Sequence, residues 1–419
     1  MKIDDHKFPL DIFSLKEFGV EKWKNGKFLW PVVDNVSLSI VEKVNLDYIE
    51  IIRSTTDERL KNLLIAQNKI VLEISGIFQA LLALDVLKKE NITPIYNEDC
   101  MYYNNIINAQ VIDGIYYRFN NKLIPQHQVR LKKSIKNFLK RILVKNKVDS
   151  KFFKNKIYSL DYSSNVFLDS YALLNDRLVK FHPFYDISNL IKKVHHTHIE
   201  LDYVVDRVLN IVIKMGEDFS LKIPTFIIDS LKEIIIDAFR TTNYSLDYYY
   251  AALKGLKKRE FYIPSLGYIH SRTFALAAKM AGHITIGSTH GNSIGLHDSI
   301  LHALIDLSFV DKYLVITESV AENYKRLTKK YLQGINNPEI VPINSQFYKT
   351  LHIDHEKIKT CSEIKNIMVI EYPLTETRHN IYSFWPYQAE LMIRLGKFFS
   401  SLELNSIMKR HPDRLKESE

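Results

Sequence analysis

Residues 255–317 constrain this chain most, because short apolar runs alternate there with small-residue amphipathic stretches. FYIPSLGY reads as a strand and turn, and HSRTFALAAKMAG as a helix that Gly282 stops. HITIGS reads as a strand, THGNSIGL as a loop, HDSILHALIDLS as a helix, and KYLVIT, 312–317, as another strand. Such alternation implies a parallel α/β sheet. Six of the chain's thirteen glycines lie within 255–295, so tight turns concentrate where the alternation is densest.

A second start follows. The helix AENYKRLTKKYL and a linker holding Pro338 and Pro342 lead to IKNIMVIEYP, 364–373, which reads as a buried strand. The helix YQAELMIRLGKFFSSL, the strand NSIMK, 405–409, and the turn RHPDR, 410–414, come next. This is only about two strands and one helix, whereas an open sheet usually needs ~4 to 6 strands. It therefore reads as the beginning of a truncated domain. Upstream, 57–90 reads as helical, with Gly76 as the expected break, and NITPIY, 91–96, as a short strand. Residues 160–260 read as mostly helical, with Pro183 and Pro224 as breaks. The expected fold class is α/β. One Rossmann-like domain is expected over 1–345, with a helical insertion at about 120–260, and the start of a second over 346–419.

Composition narrows the setting. The only cysteines are Cys100 and Cys361, so neither a disulfide framework nor a thiolate zinc site is supported. The N-terminus lacks a long apolar core of the secretory kind, and no run approaches the ~18 to 20 apolar residues of a membrane span. A cytoplasmic protein, peripheral at most, is the expectation. The net charge of +9 is local in origin: from Lys122 to Lys156 there are twelve Lys/Arg and one acid, Asp149. Within that segment VRLKKSIKNFLKRILVK, 129–145, places Leu131, Ile135, Phe138, Leu139 and Ile142 on one face and lysines on the other. Such a helix suits an anionic membrane surface, nucleic acid or an ordinary core. The membrane surface is preferred, and no nucleic-acid partner is expected, because no nucleic-acid fold signature accompanies the charge.

Several residues carry candidate chemistry. GSTHGNSIG, 287–295, sits where a predicted strand ends, and ligands of open α/β sheets bind beyond the carboxyl ends of strands. His290 could act there as acid, base or phosphate donor, with Gly291 and Asn292 letting the backbone approach a ligand. The plainer reading is a turn whose histidine caps a helix. In MKRHPDR, Lys409, Arg410, His411 and Pro412 would place a helix N-terminus and cations on a phosphate; a solvated strand-to-helix turn is the alternative. Glu371 follows the strand IMVI as a ribose ligand or base or, equally, a solvated turn carboxylate, and Arg378 could pair with phosphates or be a surface arginine. Arg272, with His270 and Ser271, opens a helix near a strand end, where it could contact substrate. Thr317 and Ser319 end KYLVIT as substrate contacts or, equally, as helix caps. HHTHIELD, 195–202, would put His196, His198 and Glu200 on one face if extended, but it is not HExxH and a polar surface patch is the default, so no metal site is expected.

Taken together, AGHITIGSTHGNSIGL, FVDKYLVITES, VPINSQFY, IMVIEYP and MKRHPD resemble the GT-B glycosyltransferases and glycerophosphotransferases of bacterial surface-polysaccharide assembly. These include capsule Kdo transferases, sialyltransferase-like enzymes and CDP-glycerol polymerases. The resemblance covers roughly residues 262–415. It implies two Rossmann-like domains facing a cleft, the donor nucleotide mainly on the C-terminal one and the acceptor on the N-terminal one. It carries a donor-phosphate contact over to His411 and a cleft position to His290. The sequence departs from the pattern in having THG in place of the more usual QHG, and in lacking a later Ser/Thr-rich donor loop.

The implied activity is glycosyl transfer from a nucleotide-activated donor, cytidine favoured and Kdo-like first, to a surface polysaccharide or lipid-linked acceptor. Polyol-phosphate transfer and a non-catalytic nucleotide- or glycan-binding subunit are the alternatives. His290 and Glu371 are the catalytic candidates. No cofactor is expected besides the nucleotide-sugar substrate, and no DxD motif demands a metal.

Overall fold

The computed structural model describes residues 6–11, 14, 30–97, 101–110, 156–160, 178–181, 194–263, 266–288, 300–343, 366–370 and 385–409. Its centre is a six-stranded, wholly parallel sheet in the order β4-β3-β5-β6-β7-β8. The strands are β3 (Ile157–Leu160), β4 (Leu178–Phe181), β5 (Glu260–Ile263), β6 (Ile284–Ser288), β7 (Lys312–Val315) and β8 (Glu339–Pro342). A mixed α/β architecture with a parallel sheet is thus established. β3 passes to β4 on one side, whereas β5 passes to β6 on the other, so the winding reverses between β3 and β5. In open α/β sheets a reversal of this kind opens a crevice at the carboxyl ends of the two strands.

Helices precede and interleave with the sheet: α1 (Asp34–Ser54), α2 (Glu58–Ala66), α3 (Ile70–Lys89), α4 (Met101–Ile107), α5 (Asp202–Asp218), α6 (Thr225–Leu253) and α7 (Ile269–Met280). Then come α8 (Ile300–His302), which runs into a π-helical turn at Ala303–Leu307, and α9 (Glu318–Tyr331). A separate parallel pair, β1 (Lys7–Pro9) with β2 (Thr93–Ile95), brackets α1 to α3. The last unit is β9 (Asn366–Ile370), α10 (Trp385–Ser401) and β10 (Asn405–Lys409), its strands parallel and in register from Asn366↔Asn405 to Ile370↔Lys409.

Strand side chains alternate between faces, and this divides the core. Tyr158, Leu160, Phe261, Ile263, Tyr313, Val315 and Ile340 join the helices in one large cluster. Ile157, Tyr262, Ile286 and Leu314 form a second cluster. α7 and α9 pack on the first face. α7 stops as the sequence predicts: Gly282 takes φ +80°, its N–H donates to Lys279 O, and the His283 N–H donates to Ala278 O.

The structure corrects several readings. The break in 57–90 falls at 67–69, and Gly76 lies buried inside α3. The stretch read as a helical insertion contributes β3 and β4 to the sheet. The expected linker contains β8: the Glu339 N–H donates to Asp311 O, just before β7, and the Ile343 N–H, just after β8, donates to Val315 O. Pro342 then falls at an outward position of this edge strand, where a missing N–H costs no ladder bond. Within HDSILHALIDLS the described residues are α-helical over Ile300–His302 and turn π-helical at Ala303. α3 is, by length and composition, long and apolar enough to cross a membrane, contrary to the sequence reading; its most apolar window is 78% buried among the other elements. The basic helix predicted at 129–145 lies outside the described residues.

Candidate functional site

Of the site residues that the sequence proposed, Arg272, Thr317, Ser319 and Lys409 lie within the described residues. β6 ends at Ser288, in register with Leu314 of β7. Ser288 and Thr317 therefore lie at or just past the ends of neighbouring strands on one edge. Thr317 caps α9, its side chain accepting the N–H of Val320. Ser319 is exposed in the first turn of that helix. In the last unit, Lys409 is exposed and pairs in register with Ile370. His290, Gly291, Asn292, Glu371, Arg378, Arg410, His411 and Pro412 lie outside the described residues.

Arg272 has a definite environment. It is fully buried, and its guanidinium donates to three carbonyl oxygens: Nε to Ala66 at 2.7 Å, and Nη1 to Leu266 and Gly267, each at 3.0 Å. It fastens the loop after β5 to the end of α2. Charge-assisted bonds to carbonyls offset the desolvation cost of burying a guanidinium.

Gly287 also has a packing explanation. A β-carbon there would lie 3.0 Å from Val310 Cγ1 and 3.1 Å from Tyr313 Cδ2. Glycine lets Tyr313 lie close against β6, and a β-carbon would push the ring back by a few tenths of an ångström. Tyr313 packs in turn on Tyr324, ring centroids 5.0 Å apart. Burial, and then the charge of Asp306 in the π-helical turn, raises both phenols above their ordinary range, so both stay neutral. On the opposite face, at the ends of β5 and β6, the buried hydroxyls of Tyr262 and Ser288 are 2.6 Å apart.

The HHTHIELD segment is an irregular strap tied to α6. Asp247, nearly buried, accepts the Thr197 N–H at 2.8 Å, the Thr197 hydroxyl at 3.2 Å and Arg59 Nη2 at 2.6 Å. Arg59 also donates to Asn243 Oδ1 at 2.7 Å, and Asn243 Nδ2 donates to Thr197 O at 2.7 Å. His196 stacks on Tyr244, centroids 4.1 Å apart and planes 24° apart. Among the described residues, no three His, Cys, Asp or Glu side chains gather as a metal site.

His283 sits at the amino edge of the sheet. Its Nδ1 accepts the Arg259 N–H at 3.2 Å, which leaves the ring proton on Nε2, 3.1 Å from Leu253 O. Burial chiefly holds its pKa below the ordinary histidine value, with Arg259 adding to the effect and the Leu253 bond opposing it.

Sequence reasoning missed Arg59, Asn243, Asp247, Tyr244, Tyr262 and Asp306. None carries a motif, and the Arg59–Asp247 contact spans 188 positions. Comparison with known proteins gives no match to a family model, to a curated protein or to a solved structure.

Proposed function

We propose that this chain is a glycosyltransferase that moves a sugar from a nucleotide-activated donor, a cytidine nucleotide by preference, to a surface polysaccharide or lipid-linked acceptor. The observation that carries the reading is the reversal of winding between β3 and β5 in an all-parallel sheet, followed by a second parallel β-α-β unit. Two α/β units with open carboxyl edges suit a donor on one and an acceptor on the other. Glycosyl transfer needs the leaving phosphate stabilised and an acceptor hydroxyl deprotonated. In this reading His411, with Arg378, Lys409, Arg410 and the turn at Pro412, meets the donor phosphates. His290 and Glu371 work at the reacting centre, beside Gly291 and Asn292. A cytoplasmic location goes with it, the basic segment 129–145 resting on the inner face of the membrane.

The test is thermal stabilisation of the full chain by CMP, CDP, UDP and GDP. A cytidine nucleotide should raise the melting temperature, and His411→Ala should remove the rise. If no nucleotide stabilises the wild type, the transferase reading fails. An unchanged rise in His411→Ala would remove the phosphate role from His411.

A further inference from the structure

Helix α7 begins where β5 leaves the sheet, and its first turn is buried. β5 ends at Ile263 and α7 starts at Ile269. Phe274 of α7 meets Phe261 of β5, ring centroids 5.2 Å apart. His283, just beyond α7, accepts the N–H of Arg259, just before β5. The helix therefore runs back along β5 from the carboxyl edge of the sheet to the amino edge. Its N-terminus stands at the carboxyl end of β5, one of the two strands between which the winding reverses. Open α/β sheets bind ligands at such an end.

Polar groups of this first turn lack protein partners. The first N–H groups of a helix have no acceptor within it and need a capping side chain, water or a ligand. Asp57 and Thr317 supply side-chain caps to α2 and α9. At α7 the capping position is Tyr268, whose side chain makes no cap bond. Ile269 is fully buried and Ser271 is 6% exposed, so bulk water has little access to either. Among the described residues nothing accepts the N–H of Ile269 or of Ser271, and nothing bonds the Ser271 hydroxyl. A helical side chain leans toward the N-terminus of its helix, which brings that hydroxyl to the same end as the two N–H groups. Buried donors without acceptors cost free energy, and an anion at the helix start removes that cost.

The turn is also held in place. Arg272 joins the Leu266 and Gly267 carbonyls, directly before the helix, to Ala66 at the end of α2. The Thr273 hydroxyl donates to Ile269 O at 2.8 Å. Donors fixed in this way lose little entropy when a ligand arrives, and the helix dipole adds partial positive charge at this end.

We propose that the N-terminus of α7 is an oxyanion site, in which the N–H groups of Ile269 and Ser271 and the Ser271 hydroxyl take the oxygens of a phosphate or carboxylate. Naming its source rests on the transferase reading: the six-stranded unit is the acceptor side, so the oxyanion is one carried by the acceptor. It is separate from the donor phosphates, which that reading gives to His411.

The test titrates the full chain with inorganic phosphate, against sodium chloride at equal ionic strength, and with CMP and CDP in parallel. Melting temperature is the readout. Phosphate should raise it in the wild type, and Ser271→Ala should weaken the apparent phosphate affinity about tenfold. Ser271→Asp brings its own carboxylate to the helix start, so it should melt above the wild type without phosphate and lose the phosphate response. The CMP or CDP response should persist in both variants. Circular dichroism checks that they fold, and Ser271→Ala decides the matter if Ser271→Asp does not. No phosphate response in the wild type, or an unchanged one in Ser271→Ala, overturns the site. A phosphate response that His411→Ala removes and the Ser271 variants keep would belong to the donor unit and also overturn it. Loss of the nucleotide response in the Ser271 variants would bring the donor here and overturn the acceptor assignment. A Ser271-dependent phosphate response with no response to any nucleotide would leave the oxyanion site standing while the transferase reading fails.

Discussion

Arg272 Nε donates to the carbonyl oxygen of Ala66 across 2.7 Å, joining positions 206 residues apart. The bond ties the carboxyl-edge loop of the sheet to the helical layer that precedes it. Arg272→Ala would leave the carbonyls of Ala66, Leu266 and Gly267 without this donor. The variant should lose about 2 to 3 kcal/mol in urea unfolding, the range for losing charge-assisted hydrogen bonds and leaving buried carbonyls unmet. Arg272→Lys should recover only part, because one ammonium cannot match the guanidinium fork. Wild-type stability in Arg272→Ala, with loss of a ligand response alone, would refute this structural role.

Gly287→Ala should cost about 1 to 3 kcal/mol, since the added methyl meets Val310 and Tyr313 at close range. Tyr313→Leu placed on the Gly287→Ala background should restore part of the loss, because it removes the ring atom in the way. The measurement is a double-mutant cycle in urea, and strict additivity would contradict the packing account.

His283 predicts a pH dependence with a definite sign. Its folded-state pKa lies below the ordinary 6.5, so as pH falls through 6.5 the unfolded chain takes up the proton first. The contribution of neutral His283 is complete above that value and drains away as the pH falls below it toward the folded-state pKa. Urea midpoints should decline from pH 7 to pH 5, and His283→Gln should flatten that part of the slope. An unchanged slope in the variant would assign the acid sensitivity elsewhere.

Asp247→Ala should release the 194–200 strap and leave Arg59, whose side chain is 16% exposed, without its ion pair. A loss of about 3 kcal/mol is expected, together with faster proteolysis within the strap. Thr197→Val removes one hydroxyl bond but keeps the backbone N–H donation, so about 1 kcal/mol should be lost and the strap should stay protected. Equal protease sensitivity of Asp247→Ala and wild type would contradict the anchoring.

The strand and helix identities from 260 to 331, and those of the last unit, were legible in the sequence for a local reason. Buried parallel strands such as β5, β6 and β7 are continuous apolar runs, and Gly282 and Thr317 end or begin helices through their own backbone or side chain; β9, read as buried, is a strand but leaves Met368 58% exposed. The sequence also settled that the fold would be α/β. It could not reveal β3 and β4, since IYSL and LVKF are too short to stand out and become strands by pairing with each other and with β5. Nor could it place the break between α2 and α3 at 67–69, where the side chains of Gln67 and Asn68 donate to the carbonyls of Ala238 and Leu304. Arg272 and HHTHIELD looked like site chemistry in isolation. Only the tertiary structure showed what their polar atoms meet, because partners 50 positions away, as for Thr197 and Asp247, or 206, as for Arg272 and Ala66, leave no periodicity along the chain.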